Sequence, residues 1–271
     1  MKTNGKVIVV TGAGNGMARE VTLELLRRGA RVAAVDINQA ALDETMKLAG
    51  AASARVSTHI VDVADLAQVA ALPAAVIAAH GQVDGVMNIA GIIHKFRKVQ
   101  DLSYDDIHRV FNINFFGTVH MVKEFLPHLI ARPEAQILNV SSMGGYVPVP
   151  GQTMYGASKA AIKLFSEGLR SELLGTHVGV CVLFPGAIAT NMPVNSGIMT
   201  SQEAEAMAKQ GAAKFKTTPA PLAGTMIVEA FESNHFHSFV GSDAKMMDIL
   251  SRIMPERAAL TIQQQMASLL K

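Results

Sequence analysis

Short runs of β-branched and aliphatic residues recur along this chain, separated by longer segments of helical spacing. That alternation restricts the fold more than any other feature. Residues 7–10, 31–35, 56–61, 83–88, 137–140, 179–183 and 238–240 read as strands. They are continuously apolar rather than alternating, as expected of strands covered on both faces. Between them, segments near 17–28, 39–49, 66–79, 104–131 and 155–174 read as amphipathic helices. The rhythm predicts an α/β fold: a doubly wound, seven-stranded parallel sheet with helices on both faces, a Rossmann fold. No repeat, low-complexity tract or linker divides the 271 residues, so one domain over 1–271 is expected.

Composition narrows the class. Hydrophobic residues make up 49% and charged ones 17%, which excludes disorder. A net charge of +2 gives no electrostatic case for nucleic acid. One cysteine, Cys181, excludes a disulfide framework; within an apolar strand and with no activating base nearby, it reads as core filler. No secretory signal is evident, and the apolar stretch 69–79 is too short for a membrane span. A soluble, cytoplasmic protein is the expectation.

Gly12, Gly14 and Gly16 lie between the first strand and the first helix, with Asn15 and Met17 interleaved. Glycines there let the backbone turn tightly and approach a pyrophosphate, while the helix N-terminus supplies amide donors and a favourable dipole. Asp36, twenty residues beyond Gly16, ends the second strand and is placed to accept hydrogen bonds from an adenosine ribose. Its carboxylate repels a 2′-phosphate, and neither Asn15 nor Ile37 supplies a compensating cation. The cofactor expected is NAD(H), with NADP disfavoured.

Tyr155 and Lys159, four apart, project from one helix face, with Ser142 thirteen residues upstream. A cation beside a phenol stabilises the phenolate, so the tyrosine pKa is expected to fall toward neutrality, where it can exchange protons with an alcohol or carbonyl.

Taken together, these residues resemble the short-chain dehydrogenase/reductase family, in its single-domain soluble branch, over about residues 5–245. The family's glycine motif is matched by Thr11, Gly12 and Gly16, with Ala18 in place of its last glycine. Asp62 and Val63 match the acidic site near the adenine ring. Asn88, Ala90 and Gly91 match the family's Asn-Asn-Ala-Gly, with Ile89 as a departure. Pro185 and Gly186 match its Pro-Gly motif, in which Ile188 and Thr190 would hold the carboxamide and a nearby phosphate. The resemblance implies a catalytic tetrad of Asn114, Ser142, Tyr155 and Lys159. Tyr155 would be general acid/base, Lys159 would also grip the nicotinamide ribose, and Asn114 would anchor a water leading from Lys159 to solvent. Asn112 would face elsewhere, and the spacing to Tyr155 selects Ser142 over Ser141. The reaction implied is hydride transfer between NAD(H) and a secondary alcohol or ketone.

Other residues are assigned plainer parts. Nine histidines include only one close pair, His235 and His237, and no metal is expected. Lys163 reads as a solvated neighbour of Lys159. Asp105 and Asp106, after Ser103, read as helix capping. His94, Met143 and Met192 are the candidate substrate contacts, within apolar segments 92–94, 143–149 and 192–199 that contain no lysine or arginine. A lipophilic substrate follows, steroid-like, acyl or aromatic, under a lid around 186–215. The tail 246–271 looks amphipathic and suited to cap the pocket or a neighbouring subunit. Helices 104–131 and 155–174 carry Phe115, Phe116, Val119, Met121, Ile162, Leu164, Phe165 and Leu169, more than one stripe. In the family the equivalent helices form a four-helix interface, implying a homodimer or homotetramer. Two other readings are a 3-oxoacyl-thioester reductase and an NAD(H)-binding sensor or scaffold. The first usually goes with NADPH, against Asp36; the second usually lacks one of the tetrad.

Asp36 yields a direct test. Turnover with NADH is expected to exceed that with NADPH at matched concentration, and Asp36→Ala combined with a nearby arginine is expected to relax the preference. Equal or faster NADPH turnover by the unaltered chain contradicts the assignment.

Overall fold

The computed structural model describes residues 1–200, 202 and 217–266. Residues 201 and 203–215 of the expected lid, and 267–271 of the tail, lie outside the described residues. Seven strands form one parallel sheet: β1 (Val7–Thr11), β2 (Arg31–Asp36), β3 (Val56–Ile60), β4 (Gly85–Asn88), β5 (Ala135–Val140), β6 (Val178–Pro185) and β9 (His237–Val240). Their order is β3-β2-β1-β4-β5-β6-β9. The expected fold class is thus observed. A short parallel pair, β7 (Ile188–Ala189) with β8 (Thr218–Pro219), stands apart from the sheet.

The apolar runs are continuous because the sheet is buried twice. Along β1, Ile8 and Val10 join Leu25 of helix α1 (Gly16–Arg27) and Ile227 and Phe231 of helix α8 (Ala220–Ser233). Val7 and Val9 face the other way, onto Val69 of α3 (Leu66–His80), Phe125 of α5 (Gly117–Ile130) and Leu169 of α6 (Thr153–Glu172). Burying a side chain of this size contributes roughly 1.5–3 kcal/mol each, so the two layers dominate the stability. Gly85 and Gly224 permit the closest approaches: a Cβ on Gly85 would lie 2.6 Å from the Phe231 ring, and one on Gly224 2.8 Å from the Glu20 backbone.

Helix starts follow local chemistry. Asn38 caps α2 (Gln39–Ala49) by accepting from Ala41 N, Asp65 caps α3 from Ala67 and Gln68, and Ser103 caps α4 (Tyr104–Phe111) from Asp106. The expected single helix 104–131 is interrupted: a π-helical stretch, Asn112–Phe116, joins α4 to α5. Such an insertion re-aims the side chains within it.

Two expectations are corrected by packing. Met121, Ile162 and Leu169 are buried in the fold's own core, while Phe116 and Leu164 stay exposed at 45% and 69%. Lys163 is not a free solvated cation; its Nζ lies 2.9 Å from Glu167 Oε1, which also meets His237 Nε2 at 2.8 Å. The described tail forms the end of α9 (Ser242–Ile253) and α10 (Pro255–Met266), whose Met247, Ala258 and Ile262 cover Val147. Among the described residues no helix is long and apolar enough to cross a membrane.

The lower edge of the sheet hangs on Asp84. Its buried carboxylate accepts from Val7 N at 2.9 Å, Gln82 Nε2 at 2.7 Å and Arg132 Nε at 2.9 Å. Asp84→Ala strands these donors and is expected to cost about 3 kcal/mol in urea unfolding, with little change in m-value.

Candidate active site

The sheet order reverses between β1 and β4, so the connections leaving them diverge and open a crevice at the carboxyl edge. Thr11 Oγ1 accepts from Ile89 N at 3.0 Å and Ala90 N at 3.1 Å, tying the two strand exits together. Gly12 follows with φ of 75°, and a Cβ on it would lie 3.1 Å from Ala90 Cα. Both the backbone sign and the approach require glycine.

Above this junction lies a cleft of about 720 Å³. Gly12, Asn15, Gly16, Met17, Asp36, Asp62, Val63, Ala90, Gly91, Thr190 and Met192 line it, as expected for a dinucleotide site. Seven expected cofactor residues do not, Tyr155 and Lys159 among them. Gly14 lies beneath Asp36, donating its N–H to Oδ2 at 2.9 Å; a Cβ there would meet that oxygen at 2.8 Å. Asn88 is buried and donates to Asn139 Oδ1 at 2.8 Å. Pro185 pairs with Val240 in the sheet, Gly186 packs on Asp243, and Ile188 packs against the core.

The Asp36 carboxylate is fixed from two sides, since Oδ1 accepts from Asn38 N at 2.9 Å. Sequence reasoning missed the cation at this turn. Arg19 donates through both Nε and Nη2 to Gly14 O, and its Nε lies 3.1 Å from Thr45 Oγ1. Its position four residues after Asn15 was the available signal. The α4 side was missed too: Asp105, His108 and Arg109 line the cleft, so only Asp106 of the acidic pair engages the capping serine.

Behind Gly91 the four polar residues converge. Asn114 is fully buried in the π-helical stretch; Oδ1 accepts from Ile92 N at 2.8 Å, and Nδ2 donates to Ile92 O at 3.0 Å and Ser158 Oγ at 3.1 Å. A Cβ on Gly91 would lie 3.2 Å from both Asn114 Oδ1 and Lys159 Nζ, so only glycine leaves that space open. Lys159 Nζ donates to Val140 O at 2.9 Å and lies 5.9 Å from the Tyr155 ring centroid. Ser142 caps a short 3-10 turn, accepting from Gly144 N at 3.0 Å, and hydrogen-bonds the Tyr155 phenol. Ser141 instead donates to Lys159 O at 2.7 Å. Gly145 and Gly156 let the turn press on α6: a Cβ on either would lie within 3.0 Å of facing backbone.

Electrostatics differ from the sequence expectation. Burial pushes the Tyr155 phenol above its usual value, and the Ser142 hydrogen bond opposes that shift. The same burial pushes Lys159 down to about 8. Desolvation disfavours both charged forms, so the phenol rises instead of falling toward neutrality as the sequence suggested.

The candidate substrate residues part company. Met192 lines the cleft. Met143 packs into the cluster formed with α9 and α10. His94 is buried away from the cleft, with Nδ1 2.7 Å from Lys95 O and its carbonyl accepting from Gln152 Nε2. Burial raises the Cys181 thiol to about 11, which makes it inert. Among the described residues no three His, Cys, Asp or Glu side chains form a metal-holding group.

These residues fit a dinucleotide: a glycine-only turn, the N-terminus of α1 and a fixed carboxylate at one end of the cleft. Comparison with known proteins agrees. The profile of the short chain dehydrogenase family matches residues 6–201. The putative oxidoreductase SadH of Mycobacterium tuberculosis is 36% identical over 252 residues, covering 92% of this chain and 91% of the relative. The crystal structure of a short chain dehydrogenase/reductase from Burkholderia phymatum in complex with NAD superposes with TM-score 0.81 at 26% identity, covering 93% of this chain and 96% of the other. A short chain dehydrogenase from Burkholderia cenocepacia in complex with NADP shares the fold, with TM-score 0.79 at 24% identity over 97% of this chain and 99% of the other.

Lys159 gives a signed pH test. Its value is 10.5 when exposed and about 8 when folded, so the apoprotein below pH 8 must hold a buried charge. That penalty is fully present below pH 8 and fades as the pH rises to 10.5. Lys159→Met is therefore expected to stabilise the apoprotein at pH 7, by on the order of 1–2 kcal/mol, while abolishing turnover. Urea unfolding at pH 7 and pH 9.5 should show the gain shrinking at the higher pH.

Proposed function

This chain belongs to the short-chain dehydrogenase family, and on that premise we propose that it is an NAD(H)-dependent oxidoreductase of secondary alcohols and ketones. The meeting of Asn114 and Lys159 at the gap left by Gly91, with the Tyr155 ring 5.9 Å from Lys159 Nζ and Ser142 beside Tyr155, is the observation that carries the reading. Nicotinamide, when bound, supplies the hydride acceptor or donor. Gly12, Gly16 and the N-terminus of α1 would hold its pyrophosphate, and Asp36 the adenosine ribose.

The protein's own part is proton handling. Tyr155 removes the hydroxyl proton during oxidation and returns it during reduction. Ser142 donates to the substrate oxygen as charge develops there, releasing the phenol it holds at rest. Lys159 favours the phenolate once it carries its proton, and its ammonium would hold the nicotinamide ribose of a bound cofactor. Asn114 holds the Ile92 backbone from both sides, which fixes the wall opposite Tyr155. Burial moves the two groups' proton affinities apart, the phenol upward and the ammonium downward, so at rest the phenol keeps its proton and Lys159 is the group that releases one near pH 8.

The substrate proposed is lipophilic, since Ile92 and Met192 line the cleft where its nicotinamide end is assigned. The assembly proposed is a cytoplasmic homodimer or homotetramer, with exposed Phe116 and Leu164 as the apolar contacts. Possession of all four polar residues favours an enzyme over a sensor.

Tyr155→Phe is expected to reduce turnover at least a hundredfold across a panel of ketones, quinones and 3-oxoacyl thioesters, while NADH binding by fluorescence stays within about threefold. Retention of more than about a hundredth of the activity would remove Tyr155 as the acid/base.

A further inference from the structure

A second, smaller cavity of about 160 Å³ adjoins the cleft. Its walls are the loop from Ile92 to Arg97, the α4 residues Asp106, Arg109 and Val110, and Gly197 with Ile198. Ile92 and Arg109 line both spaces. The volume corresponds to about five waters, room for one tetrahedral oxyanion.

Charge in this cavity is one-sided. Lys95, Arg97 and Arg109 face it against a single carboxylate, Asp106, which accepts from Ser103 Oγ at 2.9 Å. Among the described residues no carboxylate pairs with any of the three cations; Arg109 reaches only Ser196 O, at 3.4 Å. His94 supplies the buried polar wall. It is 4% exposed, and its Nε2 has no partner among the described residues.

We propose that this cavity is a phosphate-binding annex to the cleft, holding a phosphate monoester at the far end of the substrate. Three cations against one carboxylate leave two positive charges unmatched, which calls for an oxyanion. A phosphate monoester, a dianion above its second pKa of about 6, meets both charges, whereas a carboxylate meets one. The apolar loop residues Ile92 and Ile93 separate this end from the reacting end, so the substrate is an amphiphile: a lipophilic ketone or alcohol with a phosphate handle. The substrate-side segments 92–94, 143–149 and 192–199 themselves lack cations; Lys95 and Arg97 fall just beyond the first, and Arg109 arrives from α4. The cavity itself stands independently of the proposed function, and only the assignment of its phosphate to the substrate rests on that reading.

The test titrates inorganic phosphate into the full chain, following heat and the His94 ring resonances by NMR. The Lys95→Met/Arg97→Met double variant alters two exposed side chains without partners and should fold normally. Saturable binding that perturbs His94 and weakens at least tenfold in the double variant is expected. A ketone ending in a phosphate monoester should also show at least tenfold higher kcat/KM than its neutral counterpart, an advantage lost in the double variant while the neutral ketone is unaffected. Phosphate binding at His94 without that advantage overturns the substrate assignment and makes free phosphate the ligand. Absence of saturable binding, or binding equal in the double variant, overturns the annex altogether. Failure of every ketone to oxidise NADH would defeat the proposed function, yet the phosphate titration would still decide the annex.

Discussion

Everything at the carboxyl edge depends on how closely the exits of β1 and β4 approach. Thr11 holds two amides of the β4 exit, and Gly12 slides past Ala90 at a distance no side chain permits. That junction fixes the floor of the cleft. It aims α1 at the space where a pyrophosphate would sit, and it sets the path by which Gly91 and Ile92 reach Asn114. A doubly wound parallel sheet makes such a junction unavoidable, because helices reach both faces only if strand order reverses somewhere, and the connections there diverge.

Desolvation governs the chemistry on the other side of Gly91. A lysine and a tyrosine on successive turns would be unremarkable on a surface helix. Here both are driven toward their neutral forms by burial, and the ammonium depends on the Val140 carbonyl. A site built this way is destabilising without its ligand, which is the usual relation between a polar active centre and the fold that supports it. The two sheet layers around Phe125, Phe184 and Phe231 are what tolerate it.

Legibility in the sequence followed the range of each interaction. Strands, helices and caps rest on neighbours within a few residues, so Ser103 and the seven apolar runs could be read directly. The glycine turn and Asp36 were readable because their spacing is set by one βαβ unit. Contacts between distant segments were not. Arg19 folding back onto Gly14, Arg109 reaching the cleft and the departure of His94 from it depend on where α4 lies, and the π-helical stretch at Asn112–Phe116 shifts that element in a way no periodicity announces. The apolar residues of α5 and α6 were over-read for the same reason: composition shows an excess, but only packing shows that Met121, Ile162 and Leu169 belong to the core.

By itself the sequence determined the parallel sheet, the glycine-only turn with its acidic partner, and the four polar residues on which the proposed proton transfer rests. These are properties of local spacing and residue type, which survive without coordinates. The tertiary structure alone decided the protonation balance of Tyr155 and Lys159, the separation of His94 from the cleft, and the grouping of Lys95, Arg97 and Arg109 around a second cavity. Burial and electrostatic neighbourhood arise only when segments far apart in the chain close over one another, so no pattern along one dimension could supply them.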